Sequence, residues 1–111
     1  MPQYTIKTRI TLRRDSDYEG HGFGYGIELL LLGIDKNGSL NATAKEMGMA
    51  YSKAWRILRQ AEAEFEIQLI EREGAHGSRL TDEGRLFLQR YQEMCQAAEQ
   101  AARAVYEKYY D

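Results

Sequence analysis

From Ile27 to Phe65 apolar residues recur at helical spacing, and the pattern is broken by glycine at Asn37-Gly38 and again at Gly48-Met49. Three short amphipathic segments joined this closely must bury their apolar stripes against one another. The first, residues 27–36, carries Ile27, Leu30, Leu31 and Ile34 on one side, and Asn37-Gly38 ends it. Ser39 can then cap a second helix over residues 40–47, because its hydroxyl can accept a free N–H of the first turn. Leu40, Ala44 and Met47 form the buried face of that helix, which leaves Thr43 on the exposed side. Gly48-Met49 makes a tight turn into a third helix, about residues 50–64, striped by Ala54, Leu58, Ala61 and Phe65 and widened by Trp55 and Ile57.

The flanks add a small β component to a mainly α chain. Residues 4–13 alternate, with Tyr4, Ile6, Thr8, Ile10 and Leu12 on one face and Lys7, Arg9 and Arg13 on the other, as a half-buried strand does. A glycine-rich loop follows, from Asp15 to Gly26. It lacks the lysine and Ser/Thr of a P-loop and the spacing of a dinucleotide fingerprint. Residues 67–72 and 78–81 read as a hairpin around Glu73-Gly74-Ala75-His76-Gly77. Thr81 caps a last helix running from Asp82 to about Tyr109, whose first turn holds Asp82 and Glu83 where the helix dipole favours acids. The order is strand, helix, helix, turn, helix, hairpin, long helix.

At 111 residues the chain is long enough for one domain, with 1–81 as its globular part and 82–111 as a helix of the same domain. A single cysteine, Cys95, excludes an intrachain disulfide or a cysteine zinc site, and His21 and His76 are too few for a catalytic metal centre. No apolar run is long enough to span a bilayer and no signal peptide is visible, so the expected location is the cytoplasm. No Ser/His/Asp set or paired-carboxylate motif stands out, and an enzyme or a bound cofactor is not expected. Glu62, Glu64 and Glu66 alternate along a helix end and are expected in solvent.

The formal net charge is −2, which taken alone argues mildly against nucleic acid. Its distribution argues the other way. Residues 1–14 hold Lys7, Arg9, Arg13 and Arg14 without an acid, and residues 50–60 hold Lys53, Arg56 and Arg59 without an acid. For the first segment, chance clustering on a solvated face explains the pattern equally well. The second lies on the second helix of a helix, glycine turn, helix unit, which is helix-turn-helix geometry. Such a helix enters the DNA major groove and presents its N-terminal side chains to base edges.

Those side chains are Tyr51, Ser52, Lys53 and Arg56, with Gln60 farther along. Arginine can meet guanine through two hydrogen bonds, and lysine can meet guanine or phosphate. Ser39, Asn41 and Thr43 at the preceding helix start can meet a phosphate. In the hairpin, Arg72, His76, Ser78 and Arg79 can reach an adjacent phosphate or the minor groove. Trp55 is expected in the core. Tyr51 either reaches a phosphate through its hydroxyl or covers the turn.

In the last helix, Phe87, Tyr91, Met94, Ala98, Ala101 and Val105 follow a four-three spacing that makes a heptad seam. A helix of about 40 Å cannot bury such a seam on so small a domain, so pairing with a second copy is the economical expectation. Cys95 lies beside the seam and reads as a small apolar residue.

The run Gly38-Ser39-Leu40-Asn41-Ala42-Thr43-Ala44-Lys45-Glu46-Met47-Gly48-Met49-Ala50-Tyr51-Ser52-Lys53-Ala54-Trp55 resembles the helix-turn-helix of the ModE molybdate-responsive regulators. So do Leu69-Ile70-Glu71-Arg72 and Arg79-Leu80-Thr81-Asp82-Glu83-Gly84-Arg85. The same elements are similar, more distantly, to the LysR-type DNA-binding domain, and the resemblance covers roughly residues 5–95. It implies a winged helix-turn-helix that binds operator DNA, an inverted repeat, as a homodimer and regulates transcription. The groove-reading part would then be Tyr51 to Arg56, and the wing His76 to Arg79. Two departures stand out. Full-length ModE proteins carry oxyanion-binding domains after this unit, which this sequence does not show, so molybdate sensing does not carry over. Position 50 is alanine where that family has serine, which removes a polar contact and a helix cap.

Three functions remain in competition at this level: a dimeric, sequence-specific DNA-binding regulator, a winged-helix module that docks a protein partner, and a sensor with a small-ligand pocket at the dimer seam. The unit around Lys53 and Arg56 favours the first.

Overall fold

The computed structural model describes residues 2–15, 19–75 and 77–110. Helices α1 (Tyr25–Asn37), α2 (Leu40–Glu46) and α3 (Tyr51–Phe65) are followed by strands β1 (Ile70–Glu73) and β2 (Gly77–Leu80) and by the long helix α4 (Asp82–Tyr109). The strands pair antiparallel, Ile70 opposite Leu80 and Glu73 opposite Gly77. The architecture is mostly helical with a two-stranded wing.

The breaks form where local chemistry demands them. Gly38 terminates α1 at φ 68°, a left-handed conformation in which a side chain is strained. Ser39 Oγ accepts the N–H of Ala42 at 3.1 Å and caps α2, and Thr81 Oγ1 accepts that of Gly84 at 2.8 Å and caps α4. Ala50 caps α3 with no side-chain bond, as the departure at that position implied.

The core joins α1, α2 and α3 to Leu69, Ile70, Leu80, Leu88 and Tyr91. Its centre includes Phe23, fully buried, whose ring lies 4.9 Å from that of Phe87 and 4.8 Å from that of Tyr91. Phe23 arrives from the glycine-rich loop, which the sequence marked only as a connection.

The alternation of residues 4–13 is realised as an extended arm rather than a regular ladder. Ile6, Thr8, Ile10 and Leu12 are half-buried while their neighbours are exposed. Its one bridge among the described residues is Leu12 with Phe23. The arm follows α4 instead of a sheet: Tyr91 Oη donates to the Ile10 carbonyl at 2.7 Å, Thr8 Oγ1 to that of Cys95 at 3.4 Å, and the Tyr4 ring meets Tyr106 edge-on.

Three polar expectations are corrected. Thr43 is 1% exposed, because α1 and α2 cross at Gly33 and the Thr43 methyl occupies the space a side chain on Gly33 would need. Its hydroxyl donates to the Ser39 carbonyl at 2.8 Å and accepts from Asn37 Nδ2. Glu64 is 3% exposed: its carboxylate accepts the N–H groups of Gly22 and Arg14, at 2.9 and 3.0 Å, and anchors the arm to α3. Glu62 is half-buried and accepts the N–H groups of Leu69 and Ile70 at the root of the wing. Only Glu66 is exposed as expected.

The heptad seam divides. Tyr91 is buried and Phe87 half-buried, and both pack in the chain's own aromatic core. Cys95 also packs against that core. Met94, Ala101 and Val105 are exposed and Ala98 is half-buried. Among the described residues, no helix is long and apolar enough to cross a membrane.

Candidate nucleic-acid interface

The turn at Gly48 (φ 65°) sets α3 across α2, and the wing folds back on the link between α1 and α2, where the Ser78 N–H donates to the Gly38 carbonyl at 2.9 Å. That bond brings the wing beside the N-terminal ends of α2 and α3. The result is a polar groove of about 470 Å³ lined by Ser39, Asn41, Tyr51, Arg72, Ala75, Gly77 and Ser78.

Of the residues proposed from sequence, five therefore line one groove: Ser39, Asn41, Tyr51, Arg72 and Ser78. Asn41, Tyr51 and Arg72 are exposed. Ser39 and Ser78 are less free than expected. The Ser39 hydroxyl is engaged as the α2 cap, and Ser78 is 6% exposed because alternation along β2 turns it inward. Ser78 therefore shapes the groove floor through its backbone bond. Thr43, buried under α1, lies outside the groove.

Ser52, Lys53 and Arg56 are exposed on α3. Among the described residues, Lys53 and Arg56 have no hydrogen bond, ion pair or ring contact, so both charges face solvent uncompensated. Two other arginines, one on α3 and one on the wing, are already engaged. Arg59 pairs with Glu62 at 2.7 Å, and Arg79 pairs with Glu71 at 2.8 Å across the wing strands. The Glu71 hydrogen bond holds the Arg79 guanidinium above its usual pKa. Arg79 lies on the opposite side of the wing from the groove, beside Thr81 and Asp82. Gln60 lines a different, largely apolar cavity of about 330 Å³ between the glycine loop, α1 and α3. His76 lies outside the described residues. Among the described residues, no group of three or more His, Cys, Asp or Glu side chains could hold a metal ion.

Tyr51 covers the turn and reaches the groove at once: its ring meets Trp55 edge-on at 6.2 Å, and it is 41% exposed. Trp55 is half-buried and packs against the core. Sequence reasoning did not foresee that the ring also carries two guanidinium groups, Arg59 at 4.5 Å and Arg72 at 5.4 Å. A tryptophan one turn before an arginine was a signal for the first contact. Nothing local signalled the second.

A family model described as bacterial regulatory helix-turn-helix protein, lysR family, matches residues 29–85. The match runs from α1 into the first turn of α4, and leaves out the N-terminal arm. No curated protein matches the chain. Among solved structures, the CbnR DNA-binding domain in complex with DNA is similar at a TM-score of 0.54 and 25% identity, over 70% of this chain and 92% of that chain. The BenM DNA-binding domain on catB site 1 DNA gives 0.55 at 20% identity, over 76% of this chain and 92% of that one. The same domain on benA site 1 DNA gives 0.55 at 22% identity, over 72% and 92%. The BenM likenesses show the fold alone, and it is the family match that makes the unit a DNA-binding regulatory domain.

Proposed function

Because this chain belongs to the LysR family of bacterial regulatory helix-turn-helix proteins, we propose that it is a sequence-specific transcriptional regulator that binds an inverted-repeat operator as a homodimer. The observation that carries this reading is the placement of Lys53 and Arg56, exposed and uncompensated on α3, beside a polar groove built from α2, α3 and the wing. A recognition helix seated in the major groove turns such side chains toward base edges, while Asn41, Tyr51 and Arg72 flank it within reach of phosphates. The solved DNA complexes of similar domains support the same partner, double-stranded DNA. Ser52 completes the groove-reading face. The proposal includes a ModE-type turn, on the strength of Tyr51 and the Ala54-Trp55 pair.

The homodimer rests on α4. With Phe87 and Tyr91 withdrawn into the core, the pairing surface is Met94, Ala98, Ala101 and Val105, where alanines permit close helix approach. A two-fold dimer then calls for a palindromic operator with half-sites spaced by whole helical turns.

The test is selection of bound fragments from the host's genomic DNA at near-physiological salt, with Lys53→Ala/Arg56→Ala in parallel. Salt is held fixed because phosphate contacts alone give sequence-independent binding that fades as salt rises. An inverted repeat enriched by the native chain and lost with the variant is the expected result. A folded dimer that enriches nothing would instead favour a winged-helix module that docks a protein partner.

A further inference from the structure

The proposed DNA-binding face depends on how the wing is held against α3, and beside the hydrogen bonds of Glu62 and Gly38 the ring of Trp55 takes part in that holding. Trp55 lies in the second turn of α3, half-buried, with its indole Nε1 buried and without a hydrogen-bond partner. A purely space-filling role would not need an aromatic here, because leucine fills such a position without burying an unbonded N–H. The ring face is what leucine cannot supply. Arg59 lies over the ring at 4.5 Å and Arg72, from β1, at 5.4 Å, both within the range of cation–π attraction.

The contacts close a circuit between helix and wing. Glu62 accepts the N–H groups of Leu69 and Ile70 at the wing's root and pairs with Arg59, and Arg59 stacks on Trp55. Arg72 reaches the same ring from two residues beyond that root. Strand alternation puts Glu71 on the other face, where it pairs with Arg79. Arg72 therefore keeps a charge that no carboxylate among the described residues neutralises, and its side chain also lines the groove with Ser39, Asn41 and Tyr51.

We propose that Trp55 is a positioning residue for DNA binding: its ring fixes the wing's angle to α3 and aims the Arg72 guanidinium at a phosphate flanking the recognition helix. Arg59, engaged by both Glu62 and Trp55, belongs to this joint and makes no DNA contact. The inference rests on the DNA-binding reading above.

The experiment uses the duplex selected by the native chain and measures affinity against salt for the native protein, Trp55→Leu, Trp55→Phe, Arg72→Ala and the double variant Trp55→Leu/Arg72→Ala. Arg72→Ala should weaken binding about fivefold and lower the salt slope by about one phosphate. Trp55→Leu should lower the slope equally and expose the flanking backbone to hydroxyl radicals, with protection over the recognition helix retained. The double variant should bind no more weakly than Arg72→Ala, and Trp55→Phe, which keeps an aromatic face, should stay within about twofold of native. Multiplying losses in the double variant, or an unchanged slope in Trp55→Leu, would overturn the proposal. Should Trp55→Leu not fold, the decision passes to fluorescence. The chain has one tryptophan, so Arg72→Ala must change its emission in the free protein, and an unchanged spectrum overturns the joint. A native chain that selects no duplex sinks the DNA-binding reading itself, whereas a native chain that binds with independent losses sinks this inference alone.

Discussion

The carboxylate of Glu64 accepts the backbone N–H of Gly22 at 2.9 Å, across a separation of 42 residues. Together with the Arg14 N–H, this fastens the glycine loop and its Phe23 plug to the end of α3. Glu64→Ala leaves two N–H groups without their charged acceptor and should lower unfolding free energy by about 2–3 kcal/mol. Urea titration gives the loss, and amide exchange at Gly22 and Arg14 should accelerate more than at Leu58. An unchanged urea midpoint would mean that the arm is held by other contacts.

The crossing of α1 and α2 at Gly33 predicts a compensating pair. Gly33→Ala gains helix propensity but forces a methyl group into that of Thr43, and overpacking of this kind costs about 1–3 kcal/mol. Thr43→Ala in the same chain removes the obstacle. Thermal melts should therefore show the double variant more stable than Gly33→Ala alone.

Two kinds of α4 substitution should separate dimerisation from folding. Ala101→Glu with Val105→Glu places charges on an exposed face, and sedimentation should show a folded monomer where the native chain gives the proposed dimer. Phe87→Ala removes a ring from the aromatic core and should destabilise the fold by about 3–5 kcal/mol in urea, irrespective of protein concentration.

Burial pushes the Tyr91 phenol up to about 12. The folded state therefore holds this proton more tightly than the unfolded chain, whose tyrosines titrate near 10. The corresponding stability is intact below pH 10 and is lost as pH rises from 10 through 12. Phenolate absorbance should show one tyrosine lagging behind the rest, and Tyr91→Phe should abolish the lag.

Much of the fold was legible because its signals are local. The α4 boundaries follow from Thr81 and the seam that begins after it, and Ser39, Gly38 and Gly48 each act within a few residues of where they stand. The arm was legible only in its alternation. An extended segment shows which face it buries, but not whether a strand or a helix covers that face, and here the cover is α4.

The candidate site was legible in part for the same reason. That Lys53 and Arg56 face outward follows from the period of α3 alone. Thr43 was misplaced because helical period puts it beside the apolar stripe, and only the glycine opposite it on α1 makes room to bury it. Arg79 looked as available as Arg72 because strand alternation sorts faces without naming what lies across them.

The sequence by itself determined where the helices begin and end to within one or two residues, α1 starting at Tyr25 inside the glycine loop, and which of their faces seek the core, since caps, glycines and periodicity act over one or two turns. Only the tertiary structure decided which polar groups that core would accept and which cations would stay free. Those outcomes depend on partners far apart in the chain: Glu64 with Gly22, Arg85 with Asp35, Arg72 with Trp55. Packing brings each pair together, and no local pattern encodes the distance between them.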